Sequence, residues 1–412
     1  MSVPGDLPAR QRLLLSAATV SGGFVVMVLR RPGALVSPTI WGEDGTIFWA
    51  QALSPGHDLV TPYAAQSWAV QRLLTAALTG LPVSIMPVAI YTAACGVAVL
   101  SLAVVLQARA GTVLGPFPRR VLAFGLLVMV PTATEIQGNL ANLHVWIGSS
   151  LLVVLVLAPP VTLWGRCVEL AWVALASVTG LLGVILLPVA IWALWRMRTG
   201  YVWLRSSLVA MGATVNVIVW ATQDRRPSED LVQQLMLVPA ALLKRVGGGL
   251  TVGHHLMEVF WPHGLLNILL LPSILMVGLL GYLAWVDRKG PSAIWLGAAG
   301  VWLVLGVVSP TGVSTADWVL DPSAYWRYFG MALAAGLLVL VRGMGGTVGT
   351  RSVAMLGLLA CSFSLVADAY IKVASPAVGR DDLRAFEVCL DGRSPPPCYL
   401  PIAPDGWTVV VD

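Results

Sequence analysis

The chain has 412 residues, of which 57% are hydrophobic and only 11% charged, with a net charge of +5 and a mean hydropathy of +0.82. Soluble domains are about a quarter charged, so this composition excludes a soluble fold. The apolar residues come in long runs without two-residue alternation, which excludes a β-barrel and leaves helices as the spanning element.

The first run, Leu13 to Leu29, follows Arg10 and Arg12 and ends at Arg30-Arg31 with no small-residue cleavage site, which predicts a retained helix and not a signal peptide. Further apolar stretches lie near 82–106, 121–134, 142–160, 168–179, 183–195, 203–221, 262–286, 292–309, 328–341 and 352–371. Together they predict an all-α integral membrane protein of about eleven transmembrane helices, N-terminus inside and C-terminus outside. The stretch 168–195 is read as two short tilted helices, because Thr179-Gly180 offers a tight turn near its middle. Cations support this order. The predicted inner side holds thirteen Lys and Arg against Asp6, Glu169 and Asp287, as the positive-inside rule expects. Merging the 168–195 pair would reverse every later loop and put most acids inside.

One transmembrane domain, 1–371, is therefore expected, with long extracytoplasmic loops at 30–81 and 222–262 and a short outer tail, 372–412. Within the second loop, Ser228 can cap a helix opened by Glu229-Asp230. That helix carries Leu231, Leu235, Val238 and Leu242 and is expected, as far as Arg245, either to lie on the membrane surface or only to pack on the bundle. In the tail, CLDGRSPPPC places Cys389 and Cys398 where an oxidising compartment lets them pair. The loop so closed would be constrained by roughly 2.5–3 kcal/mol. Zinc would need further ligands, and none are clear. Cys95, Cys167 and Cys361 read as small apolar fillers.

The inner loops are too short for a nucleotide-binding domain, and no phosphate-cradling glycine motif appears; the glycines at 343–349 read as a flexible loop. Polar groups gather instead in three outer segments. WGEDGTIFWAQAL, 41–53, sets Glu43 and Asp44 among Trp41, Phe48 and Trp49, aromatics suited to headgroup depth. A carboxylate partly withdrawn from water has a raised pKa and suits a general base, although two adjacent acids in a loop are also ordinary solvated surface. EIQGNLANLHVW, 135–146, brings Glu135, Gln137, Asn139, Asn142 and His144 to membrane depth, facing a cavity or serving as a cap. STADWVLDPSAYWRYFG, 314–330, places Arg327 beside Tyr325, Trp326 and Tyr328, where a guanidinium can hold a phosphate by two parallel hydrogen bonds or simply snorkel. A fourth segment, HHLMEVFWPH, has His254 and Glu258 one turn apart, a weak metal pattern, and no metal site is assigned to it.

Taken together these segments resemble the GT-C glycosyltransferases, and more closely the bacterial membrane proteins of that superfamily with an EDG motif in the first loop and an N-x-H-W motif after the third helix. The first motif is intact as Glu43-Asp44-Gly45. The second reads Asn142-Leu143-His144-Val145-Trp146, with one residue inserted before the tryptophan. The resemblance covers helices one to six best and names no sugar. It implies an inverting transferase in a bacterial inner (plasma) membrane, working at the extracytoplasmic face. The donor would be a polyprenyl-phosphate sugar and the acceptor a hydroxyl of an envelope glycan or lipid, with no nucleic acid involved. It implies Asp44 as base with Glu43 as neighbour or stand-in, Arg327 and Tyr328 on the donor phosphate, and Asn142 and His144 in the sugar pocket. Glu135 and Asn139 would be further substrate contacts. Some relatives use a divalent metal at the acidic site. The competing class is a transporter or flippase of a lipid-linked sugar or small solute; against it, polar groups lie at the outer face and no repeated halves are found. A non-catalytic assembly partner for envelope enzymes is a third reading, in which Asp44 would be replaceable.

Overall fold

The computed structural model describes residues 8–54, 61–64, 66–131, 136–222, 231–260, 269–308, 319, 321, 326–370, 378–393, 395–403 and 406–411. Each apolar run carries a helix. They are α1 (Ala9–Leu29), α2 (Val83–Leu106), α3 (Phe117–Val128), α4 (Leu143–Val154), α5 (Leu163–Ser177), α6 (Leu182–Met197), α7 (Gly200–Thr222), α8 (Leu270–Val286), α9 (Pro291–Val308), α10 (Gly330–Gly343) and α11 (Val348–Ala367).

Five of these, α1, α2, α7, α9 and α11, are long and apolar enough to cross a bilayer. A sixth crossing is available if Leu231–Thr251 and His254–Phe260, which meet at a bend of 116°, form one broken span. The protein is thus a helical membrane protein. The remaining six helices are shorter than the roughly 20 residues of a full span. Two of the short ones have a clear role: every residue of α4 is buried, as is α10 from Gly330 to Val341. A helix apolar on all sides belongs at the centre of a bundle. The long helices lie around that centre and turn large apolar residues outward, among them Leu13 and Val25 on α1 and Leu356 and Phe363 on α11. That is the surface lipid covers.

The split at 168–195 is present: α5 ends at Ser177 and α6 starts at Leu182. Gly180 makes the turn with φ of 61°, a left-handed conformation that other residues rarely adopt. Its N–H donates to Ser67 O at 2.6 Å, and the Val70 N–H donates to Thr179 Oγ1 at 3.3 Å, so the turn is tied to the first long loop.

The segment expected to form a surface helix is helical over its described part. Ser228 to Asp230 lie outside the described residues, and from Leu231 to Thr251 the chain is helical, with a π-helical stretch over Ala241–Gly247. Leu231, Leu235 and Leu242 face outward, while Gln234, Ala241, Arg245 and Val246 are buried. The polar face is the inner one, because Arg245 finds partners there. Its Nε donates to Val319 O at 3.0 Å, a further N–H reaches Asp321 O, and the guanidinium lies 5.1 Å from the ring centres of both Trp326 and Phe329.

Arg30 and Arg31, cations on the predicted outer side, are also buried carbonyl partners. Arg30 donates to Val128 O, Val130 O and Asp368 O, which occupies the carbonyls left open where α3 ends. Arg31 donates to Gln137 O and Thr39 Oγ1.

The tail folds onto the first loop. The helix Arg380–Leu390 is followed by an antiparallel hairpin, β1 (Cys398–Ile402) with β2 (Trp407–Val411), and a disulfide joins Cys389 to Cys398. Cys95 and Cys361 are buried and unpaired, and Cys167 is exposed.

Candidate functional site

Glu43 and Asp44 open a short helix whose turns over Asp44–Trp49 are π-helical. Such turns insert a residue into the helical repeat and recur at functional sites. Asp44 is fully buried, and its two carboxylate oxygens point at one stretch of backbone: Oδ2 accepts from Leu140 N–H at 2.8 Å and Oδ1 from Ala141 N–H at 2.7 Å. Burial pushes the Asp44 carboxyl up to about 7, against the pull of those two donors. Asp44 is therefore the brace that holds the 139–142 turn. Glu43 faces the other way, and its Oε1 lies 2.9 Å from an Arg327 N–H.

This pair lies on the wall of a cavity of about 130 Å³. Asn142 and His144 line it from the start of α4, and Tyr328 follows Arg327, whose guanidinium is 5.3 Å from the tyrosine ring centre. Three segments separated by up to 284 residues thus meet at one cavity. The His144 ring donates through Nδ1 to Ala141 O at 2.9 Å, leaving Nε2 as an acceptor in the neutral ring. That ring stacks on Trp302 at 5.5 Å and meets the edge of Trp68 at 5.4 Å. Leu181 and Ile185 at the start of α6 and Leu305 of α9 make one side apolar. The cavity has a charged end and a greasy wall.

Of the remaining predicted site residues, Asn139 accepts the Asn142 N–H through Oδ1 at 3.0 Å and does not line the cavity. Glu135 lies outside the described residues. Trp146 is buried within α4, away from the cavity lining. Phe48, one of the aromatics that frame the acidic pair, lines the cavity together with Tyr63, Trp68 and Trp302, which no sequence pattern singles out. Trp302 sits inside an apolar run and reads as core, yet its indole N–H is buried without an acceptor among the described residues.

No family model, curated protein or solved structure matches this chain. Among the described residues no three His, Cys, Asp or Glu side chains cluster. Among the described residues Glu43 is the one carboxylate on the cavity wall, and it is paired with Arg327. His254 Nε2 lies 3.2 Å from Glu258.

The tail supports the acidic segment directly. Ala403 N–H donates to Ile40 O at 3.1 Å, Val378 N–H to Pro38 O at 3.0 Å, and Phe386 packs edge-on against Trp49. A Cβ added at Gly45 would fall 2.4 Å from the Ile402 side chain and 2.9 Å from Val409, so the third residue of the EDG motif is glycine because the hairpin lies against it. Gly45→Ala is expected to lower stability by about 1–3 kcal/mol through overpacking, read as a lower apparent Tm of the purified protein.

Proposed function

We propose that this protein is an inverting glycosyltransferase that uses a polyprenyl-phosphate sugar at the extracytoplasmic face of a bacterial inner membrane and transfers it to a hydroxyl of an envelope glycan or lipid. On this reading the eleven helices are crossings, N-terminus inside, and the cavity opens outside. The convergence of Glu43, Asn142, His144, Arg327 and Tyr328 on one cavity with an apolar side carries the proposal.

The chemistry follows from the wall. As the acceptor oxygen bonds to the anomeric carbon, its proton passes to the Glu43 carboxylate and the carbon–phosphate oxygen bond breaks. The departing phosphate keeps the electron pair and is held by the Arg327 guanidinium. A phosphate leaves without protonation, so one base suffices where a glycosidase needs two carboxyl groups. In the resting protein Glu43 and Arg327 neutralise each other, and donor entry separates them, so neither partly buried charge is stranded. Asn142, the His144 Nε2 acceptor and the open Trp302 N–H supply sugar contacts. Leu181, Ile185 and Leu305 give the first units of the lipid an apolar surface.

The base role that the resemblance implies for Asp44 passes here to Glu43, its stand-in, because both Asp44 oxygens are engaged by backbone N–H groups. The test is turnover by the full chain in nanodiscs with a panel of labelled polyprenyl-phosphate sugars. Sugar transfer or donor hydrolysis is the expected result. A donor that binds but is never cleaved would favour transport of a lipid-linked sugar, and failure to bind any donor would remove both readings.

A further inference from the structure

A second cavity, of about 300 Å³, lies at the opposite ends of α9 and α10. Ser292, in the first turn of α9, lines it, whereas Leu305 and Gly306 of the same helix line the cavity that holds Glu43. At 1.5 Å per residue the two lie about 20 Å apart along the helix. The second cavity is therefore a separate site at the other end of the bundle.

Its wall carries Arg119, Arg342 and one acid, Asp287. Arg342 is fully committed: Nε and an Nη meet the Asp287 carboxylate at 2.5 and 3.0 Å, and the other Nη donates to Val113 O at 2.7 Å. Arg119, in the first turn of α3, is different. It is half-buried, and among the described residues its guanidinium makes no hydrogen bond or ion pair. It lies between two glycines, since a Cβ at Gly345 would fall 2.6 Å from its Nη1 and one at Gly115 2.9 Å away. Both are glycines in the turns that frame the cavity, so the backbone makes room for this guanidinium while no described side chain neutralises it. Among the described residues the lining carries one uncompensated positive charge. The Thr350 hydroxyl stands at the rim, in the first turn of α11, the positive end of that helix.

We propose that this cavity binds a phosphate group through Arg119. A planar guanidinium matches a phosphate with two parallel hydrogen bonds, and a half-enclosed cation gains most from an anion that replaces its lost water. The phosphate comes either from the headgroup of an anionic phospholipid in the adjacent leaflet or from solution. Neither source depends on sugar transfer at the other cavity.

The test is the apparent Tm of the full chain in a non-ionic detergent, titrated with dihexanoyl phosphatidylglycerol, dihexanoyl phosphatidylcholine and inorganic phosphate. A saturable rise of about 2–4 °C with phosphatidylglycerol alone assigns a lipid headgroup, and a rise with inorganic phosphate as well assigns the phosphate itself. Arg119→Gln is expected to weaken the response at least tenfold, and Arg119→Lys, which keeps the charge but loses the fork, less than that. Gly345→Ala provides a second variant that displaces the guanidinium without removing it, and it should weaken binding too. The proposal fails if phosphatidylcholine acts as well as phosphatidylglycerol, if no additive acts, or if both Arg119→Gln and Gly345→Ala respond like wild type.

Discussion

Glu43→Gln is expected to reduce sugar transfer by about 10²–10⁴-fold while the protein still folds and still binds donor. The amide keeps the size of the carboxylate, and its oxygen can still accept from the Arg327 N–H that lies 2.9 Å from Oε1 in the native protein. What it loses is the ability to take a proton from an acceptor hydroxyl. The lost charge assistance in the pair costs about 1–2 kcal/mol of stability, too little to unfold the chain. Initial rates with a labelled donor, measured beside donor binding and apparent Tm, separate the two effects. Arg327→Gln supplies the complementary pattern: weaker donor binding together with slower transfer, because it removes the charge that receives the leaving phosphate. If Glu43→Gln turns over like wild type while a folded Asp44→Asn does not, the base is Asp44 and the cavity must rearrange before reaction.

The choice between these neighbours was not legible in the sequence, and the reason is geometric. Adjacent helical residues point about 100° apart, and a π-helical turn beginning at Asp44 shifts the phase again, so spacing does not tell which acid faces the cavity. Spacing did bring Glu43, Asn142, His144, Arg327 and Tyr328 forward, because polar groups at membrane boundaries stand out against apolar runs. Trp302 does not stand out. An indole in the middle of α9 has the pattern of packing, and its place on the cavity wall depends on where α4 and the first loop settle.

The fold divides in a similar way. Helices coincide with apolar runs because a helix satisfies its own backbone in lipid and these runs lack the alternation a barrel needs, and Thr179-Gly180 was readable because few residues adopt the turn that Gly180 makes. In the segment from Leu231 the periodicity marks a helix but not which face meets the protein. In water a leucine stripe marks the buried face, but beside lipid the same stripe turns outward and Arg245 is drawn in by the carbonyls of Val319 and Asp321. Arg30 and Arg31 follow the same logic: their charges serve carbonyls at the ends of helices, which a count of cations per loop does not see.

Asp44 predicts a pH signature of stability rather than of chemistry. Burial raises its carboxyl from the ordinary 3.8 to about 7, so the native protein holds this proton over a range where the unfolded chain has released it. Below about pH 4 both states are protonated and the group contributes nothing. As pH rises towards 7 the native state binds more protons than the unfolded state, so stability falls with pH, and above 7 the loss is complete and constant. The apparent Tm is therefore expected to fall between pH 4.5 and 7 and then level off, as far as this group governs it. Asp44→Asn should be less stable than wild type below about pH 5, by about 1–3 kcal/mol, because its NH₂ faces one of the Leu140 and Ala141 N–H donors and leaves it without an acceptor. It should also lose the slope, so the gap to wild type narrows as pH rises from 5 to 7.5. A slope that survives in Asp44→Asn would show that another group sets the pH dependence. A variant as stable as wild type below about pH 5 would mean that the 139–142 turn holds without its brace, and the division of labour between Glu43 and Asp44 would have to be redrawn.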